Sequence, residues 1–529
     1  THFSNMADWN PAEMIGDKPK PLAISLYSEL ITDSVWASQR KDYFYKDVSP
    51  NILMVNLAGS PFIDLRTDIN SFLPKGLPKT IETKVVDNLL IKLKSKPYLH
   101  DKIEFDIIPT CYDFGLNNKS LSFLKNKEKK IYIRKLKELT NYILSKKNNL
   151  LKKELKKINL LDEKIKKINT SKISEIQKIF FLINDCKKYG TLPFAGTARL
   201  AFVCTIILRT LHNLKIINQK NIEDLYSSIP TITKKINKDF IKINKSKNKI
   251  KTFLKKYGHL RPLTYSITSP NYKEGFKTYF SATDKNYYSN KKNYFYLSDS
   301  THKKINKLFL KEKIDLNSKN FFDLFKRSIE AREYGKFIFS KSINRIFENL
   351  IKLGKTINIS RSDLEFISIK KIISSYSVLE TDKLSLILKK EVSNNKKSFN
   401  ILKQIKFPDF IKSSSDVYLQ NIKPSKGNFI TNKKINGNVI YLNSLSLISK
   451  LNNKIILLEN ADPGYDFIFS YKIKGLITKY GGSNSHMTIR CLELNIPAII
   501  GVGVNEFDQI KKCNLIEFDC EQKTFKSIS

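Results

Sequence analysis

Tyr480-Gly-Gly-Ser-Asn-Ser-His-Met-Thr-Ile-Arg-Cys-Leu-Glu-Leu-Asn-Ile-Pro-Ala-Ile-Ile-Gly501 reads as a tight glycine turn, a helix and a strand, and Leu476 and Ile477 just before it belong to another strand. Gly481 and Gly482 permit unusual backbone angles and close approach of another molecule. A helix is expected from about Ser485 to Leu494, with Ile489 and Leu492 on one packing face and Met487, Cys491 and Leu494 on another. Asn495 tolerates the left-handed conformation that ends helices, and Pro497 leads into the next strand. His486 falls in the first helical turn, where free N–H groups and the positive end of the dipole favour an anion. An imidazole there can attack as a nucleophile and carry a phosphoryl group covalently, with the Ser483 and Ser485 hydroxyls beside it. The turn is read as exposed, so losing His486 should cost little stability.

The wider stretch 459–503, ENADPGYDFIFSYKIKGLITKYGGSNSHMTIRCLELNIPAIIGVG, resembles the phosphohistidine swivelling domain of the phosphoenolpyruvate-utilising enzymes. That family includes phosphoenolpyruvate synthase, pyruvate phosphate dikinase, rifampicin phosphotransferase and enzyme I of the sugar phosphotransferase system. Its motif is Gly-Gly-x-Thr-Ser/Cys-His, a helix, then Glu-Leu-Gly-Ile-Pro-Ala-x-x-Gly. The resemblance puts His486 on the phosphorylated histidine and Gly481, Gly482, Ser483, Asn484, Ser485 and Arg490 in the phosphohistidine loop. Asn484 stands where the family has Thr, Leu492 where it has Arg, and Asn495 where it has Gly. Asp462-Pro463-Gly464 matches the turn that precedes the strand in these domains.

More weakly, FAGTARLAFVCTIILRTL, YGHLRPLTYSITSPNY and EAREYGKFIFSKSINRIFE resemble the acceptor-binding region of the rifampicin phosphotransferase and phosphoenolpyruvate synthase-like branch. The resemblance implies a dikinase-type phosphotransferase whose histidine is charged from ATP and Mg²⁺. Both would be bound by an ATP-grasp domain outside this chain, upstream or on a separate chain. A small-molecule acceptor is then expected in the helical region.

Outward from the histidine, the chain divides into three expected parts. Residues 1–112 are mixed α/β, with NILMVNLAGSPFIDLR as two short strands around Gly59-Ser60-Pro61 and KIEFDII as another. Residues 113–420 form a helical acceptor-binding region, in which Ile343, Ile346, Phe347 and Leu350 make one amphipathic stripe and Gly354 stands at a helix end. Residues 425–529 form the small α/β domain, joined by a hinge around Asn421–Gly427. The fold class is therefore multidomain, α plus α/β. One histidine must serve two sites, so the last domain is expected to swing as a rigid body.

Several other groups are candidates. His259 and Arg261 lie in the 257–275 break, where an acid/base and a phosphoryl clamp for the acceptor would sit. His100-Asp101 and Arg332-Glu333 read equally as site residues or as ion pairs. Asp64, Arg66 and Asp68 would share one face of a strand. Gly354-Lys355-Thr356 lacks the earlier Gly of a phosphate loop, because Asn349 occupies that place. No metal-ligating cluster is read from the sequence.

The composition sets the remaining bounds. Of 529 residues, 93 are Lys or Arg and 50 are Asp or Glu, a formal net charge of +43. That could mark a basic helical nucleic-acid-binding protein, the rival class, with a non-catalytic partner subunit as another. Only 11 of the basic residues are Arg, however, and nucleic-acid readers favour Arg for forked contacts. Lys travels with Asn and Ile throughout, a pattern of wet helix faces, and a nucleic-acid partner is not expected. Leu200–Leu208 is too short an apolar run to cross a membrane, so a buried helix is expected. Six widely spaced cysteines, at 111, 186, 204, 491, 513 and 520, read as reduced thiols of a cytoplasmic protein.

Overall fold

Helices of this chain that are wet on one face must bury the other, and a computed structural model shows what they bury it against. It describes all residues except 115–120, 244–246, 281–293, 377–380, 419–426, 483–484 and 528–529. The hinge around Asn421–Gly427 therefore lies, except for Gly427, outside the described residues.

The N-terminal part opens with strand β1 (Phe3–Ser4) and helix α1 (Pro11–Ile15). A hairpin follows, β2 (Met54–Leu57) and β3 (Ser60–Asp64), turning at the expected glycine. The last strand of this sheet is β4 (Phe410–Ile411), which comes after all the helices of the body and pairs with β1, giving the order β2-β3-β1-β4. Two sequence expectations fail here. KIEFDII is a π-helical turn over Ile103–Ile107, not a strand, because Ile103 and Ile107 are both buried against the core. Asp64, Arg66 and Asp68 do not share a strand face either. Asp64 caps a helix over Leu65–Ser71, accepting from the Arg66 and Thr67 amides, and Asp68 is buried within that helix.

The helical body is built on α2 (Leu150–Thr170), α3 (Glu175–Cys186), α4 (Leu192–Asn213) and the 39-residue α5 (Ser318–Thr356). α5 runs against α2, α3 and α4 and carries the Ile343–Leu350 stripe into the core. It continues past Gly354 to Thr356, so Gly354 is an interior residue and Ile357 is the cap. The run Leu200–Leu208 lies inside α4. Glu175–Asn213 contains a window long and apolar enough to cross a membrane, but 72% of that window is buried within the protein. One apolar core extends from Ala7 to Val392, so the N-terminal strands and the helices pack as one body.

The C-terminal domain is a seven-stranded sheet. Its strands are β5 (Asn428–Ile430), β6 (Lys434–Tyr441), β7 (Ile455–Leu458), β8 (Gly475–Thr478), β9 (Ala498–Ile500), β10 (Leu515–Asp519) and β11 (Thr524–Ser527). The order is β11-β10-β6-β7-β8-β9-β5, with β6 to β9 parallel and the other pairings antiparallel. β7, β8 and β9 are buried on both faces, as their unbroken apolar sequences require. One face packs Ile455, Leu457, Ile477 and Ile499 against Phe507, Ile516 and Phe518. The other packs Ile456, Leu476, Ala498 and Phe467 in a cluster that includes Tyr257, Tyr272 and Tyr279 of the preceding region. The domain is thus docked on the helical body through an apolar face. Helix α6 (His486–Leu494) joins β8 to β9.

Candidate functional site

α6 starts as the sequence indicates. Ser485 is the N-cap, its Oγ accepting from the Thr488 amide at 3.2 Å, and Asn495 ends the helix in the left-handed region at φ 53°. Thr488 Oγ1 donates to the Gly482 carbonyl at 2.9 Å, which ties the glycine turn to the first helical turn. Gly481 has φ +142°, and a Cβ there would lie 2.7 Å from Ile500 Cγ2. Gly482 needs neither special angle nor extra room, so only the first glycine of the pair is conformationally required. Ser483 and Asn484 lie outside the described residues.

His486 is the first residue of α6 and is 4% exposed, so the expectation of an exposed turn is wrong. Its Nε2 lies 2.7 Å from Asp466 Oδ1, within its own domain. Its Nδ1 lies 3.0 Å from Glu333 Oε2 on α5, an ion-pair contact whose direction falls short of a hydrogen bond. Thr233 Oγ1 donates to the second oxygen of Asp466 at 2.8 Å. Arg490 Nε stands 3.6 Å from Asp466, while its Nη1 pairs with Glu493 and its guanidinium covers the Phe469 ring. Arg490 therefore reaches the histidine through Asp466.

The electrostatics follow from this packing. Burial pushes the His486 imidazole down, but Asp466 and Glu333 together outweigh it and hold the ring up at about 9. Burial pushes the Glu333 carboxyl up, and His486, with Arg332 and Lys336, draws it down to about 2. At neutral pH the docked His486 is an imidazolium with both nitrogens turned to carboxylates. Its ring has no free lone pair in this position.

Docking depends on close contact. Gly464 of the Asp-Pro-Gly turn faces the backbone of Arg261 and Pro262, and a Cβ on it would lie 1.6 Å from the Arg261 carbonyl oxygen. Thr264 donates its amide and hydroxyl to the Asp462 carboxylate at 3.2 and 3.1 Å. Tyr272 donates to the Gly464 carbonyl at 3.0 Å, and Tyr471 donates back to the Tyr279 carbonyl at 2.9 Å.

Beside His486 a cavity of about 160 Å³ opens between α1, α4 and α5. Glu13, Arg332, Lys336, Gly482, Ser485 and His486 are among its lining residues. Among the described residues Lys336 makes no ion pair, and burial pulls its ammonium down despite Asp462, Glu333 and Glu13 nearby. A smaller cavity on the other side of the histidine is lined by Asp466, Glu333 and His259.

The structure brings some sequence candidates to this place and not others. Glu333 touches His486, and Arg332 and Asp101 line the larger cavity. His100 instead shares a 3.0 Å hydrogen bond with Ser4. His259 and Arg261 do not line the larger cavity, but both line the smaller one with Glu333, Asp466 and His486. Burial, with Lys341 adding to it, holds His259 down at about 3, so the neutral ring donates from Nε2 to the Phe337 carbonyl at 3.2 Å. Arg261 is buried and donates to the Ser266 and Ser269 carbonyls at 3.1 Å and to Asn344, which shapes the loop itself. Sequence reading missed Asp466, Lys336 and Glu13. Lys336 carried a signal, since it is one helical turn from Arg332 and Glu333 in a resembling segment. Glu13 carried none.

Residues 451–523 match the family of the PEP-utilising enzyme, mobile domain, a stretch that contains Asp466 and all of α6. No curated protein matches the chain.

Proposed function

We propose that the chain is a phosphotransferase that relays a phosphoryl group through His486. The carrying observation is that His486 opens a helix within the matched domain, and its ring crosses the domain boundary to Glu333 beside a cavity. The amides of the first turn favour a phosphoryl group on the ring. When that group is present, the ring cannot keep both carboxylate contacts, so the charge that now closes the domain is released. In the cavity, Lys336 offers a cation for the transferring group. Splitting the reaction at His486 gives two in-line transfers at separate places.

ATP and Mg²⁺ enter this reading through an ATP-grasp module outside the chain. The described residues contain no cluster of three His, Cys, Asp or Glu placed to hold a metal. No step here runs through a metal. The helical body holds the acceptor, which we place in the larger cavity rather than at His259 and Arg261.

The test is acid-labile phosphate on the chain after incubation with ATP, Mg²⁺ and the nucleotide-binding module, mapped by mass spectrometry at alkaline pH. Label at His486 supports the relay, and label on a different histidine ends it.

A further inference from the structure

The cavity beside His486 has lining residues that phosphoryl chemistry does not account for. Arg40 is paired with Asp8 there, and Arg199 with Glu104, and both guanidinium groups lie over the Phe72 ring at 4.2 and 4.7 Å. These four charges cancel in pairs, and the cavity's other two cations, Arg332 and Lys336, act on Glu333 beside His486, where the phosphoryl group would arrive. Three other buried polar atoms on its walls find no hydrogen-bond partner among the described residues: Trp9 Nε1, Tyr265 Oη and Arg199 Nε. Tyr265 is 2% exposed, so water does not serve it from bulk. A buried polar group left unpaired is costly, and three on residues around one cavity call for a ligand that satisfies them. The aromatic side chains of Trp9, Phe105 and Phe202 line the same cavity.

We infer that the acceptor is a compact, neutral, polyhydroxylated molecule and that Glu13 is the base that takes its hydroxyl proton. This rests on the relay through His486 proposed above. Each hydroxyl both donates and accepts, so a polyol can serve the indole N–H, the tyrosine hydroxyl, the guanidinium N–H and the paired carboxylates together. Its C–H faces pack on the aromatic rings. The cavity's 160 Å³ lies below the roughly 300–1,000 Å³ of pockets for drug-sized ligands, which sets the size.

Glu13 lies on α1, buried, and lines the same cavity as Gly482, Ser485 and His486. Asn10 Nδ2 donates to its Oε2 at 3.0 Å and fixes the carboxyl plane. Four groups face it: Lys336 from α5, Asn10 from its own turn, and Asp462 and the Gly482 amide from the docked domain. Burial holds the carboxyl up at about 7, with Lys336 and Asn10 pulling against it, so it can accept a proton near neutrality. In the step, the acceptor oxygen bonds to phosphorus. The P–N bond to His486 breaks with its electron pair returning to the ring. The hydroxyl proton passes to Glu13, which later gives it to water. The product is a phosphate monoester.

The experiment loads His486 chemically with phosphoramidate, in the full chain, and follows discharge by glycerol, D-glucose, myo-inositol and pyruvate. Discharge by a polyol, giving a monoester, is expected, with pyruvate inert. Glu13→Gln should bind that polyol, slow discharge about a hundredfold or more, and flatten its pH profile around 7. Discharge by pyruvate alone, silence from all three polyols, or a Glu13→Gln rate and pH profile equal to wild type would overturn the inference. If His486 loads neither in wild type nor in Glu333→Gln, which frees the ring from the latch, the relay itself fails. Calorimetry on His486→Ala still tests the cavity then, and no heat of binding with any of the three polyols overturns the ligand class.

Discussion

Glu333 and His486 lie 153 positions apart in the chain and meet at 3.0 Å, each 4% exposed. The contact joins the longest helix of the helical body to the first residue of α6 in the C-terminal domain. With Asp466 on the other nitrogen, it makes the docked histidine a cation and a latch, not a nucleophile. The same side chain is therefore assigned two states: protonated and closed, or neutral and free to be charged with phosphate.

His486→Ala should abolish acid-labile phosphorylation and also lower stability, contrary to the expectation for an exposed turn. Removing the cation leaves Asp466 and Glu333 buried without it, and breaking a buried pair costs about 3–5 kcal/mol. Thermal unfolding at pH 7 should show the loss. It should shrink toward pH 4, where carboxylates can take up protons. A melting temperature equal to wild type at pH 7 would contradict the latch.

The latch also sets a pH dependence. His486 is raised from 6.5 to about 9 in the fold, so its contribution is complete below pH 6.5 and lost as pH rises through 9. Glu333 is lowered from 4.5 to about 2, so its contribution is present above pH 4.5 and lost as pH falls toward 2. Stability from this pair should be greatest between pH 4.5 and 6.5 and fall by about 3 kcal/mol on going to pH 9 and above. Glu333→Gln should flatten the alkaline limb. Parallel wild-type and variant curves across pH 6.5–9.5 would exclude Glu333 as the cause.

Arg261→Ala should act on stability before chemistry. The guanidinium holds the Ser266 and Ser269 carbonyls of its own loop and the buried Asn344, and its removal strips these acceptors of a charged donor, a cost of about 1.5–3 kcal/mol. Because the Arg261 backbone seats Gly464, docking should loosen as well. Hydrogen exchange over 258–275 should rise. A hundredfold fall in acceptor transfer with unchanged exchange would restore Arg261 to the acceptor site.

How far the sequence carried depends on distance along the chain. Ser485, His486 and Asn495 were legible because capping and the helix start are set within a few residues. The strands β8 and β9 were legible because both of their faces are apolar. Glu333, Thr233 and Glu13 reach the site from three separate segments, and only the docked arrangement of the domain brings them together. Ile103–Ile107 misled because alternation of apolar and acidic residues fits a strand, while the core selects the two isoleucines four apart. For His259 the loop sequence left both a chemical and a structural role open; the fold buries it, holds its ring neutral against the Phe337 carbonyl, and sets it on the smaller cavity beside His486.

Gly464→Ala gives the sharpest test of whether the mobile domain must dock and release. A methyl group on Gly464 would meet the Arg261 and Pro262 backbone first, at 1.6 to 2.6 Å, so the clash lies across the interface and not inside the domain. The substitution should leave the C-terminal sheet folded and push the domain off the acceptor body. Tyr272 would then part from Gly464, Thr264 from Asp462 and Glu333 from His486, all in one movement. Small-angle scattering should show a larger radius of gyration, and hydrogen exchange should rise at Tyr272 and in the first turn of α6 but not in β7 or β8. Loading of His486 should persist or quicken, because the free imidazole no longer carries the Glu333 contact. Transfer to the acceptor should fall sharply, because that step needs the histidine back at the cavity. Loading and transfer that both stay at wild-type rates, with unchanged scattering, would mean that this interface plays no part in the reaction cycle.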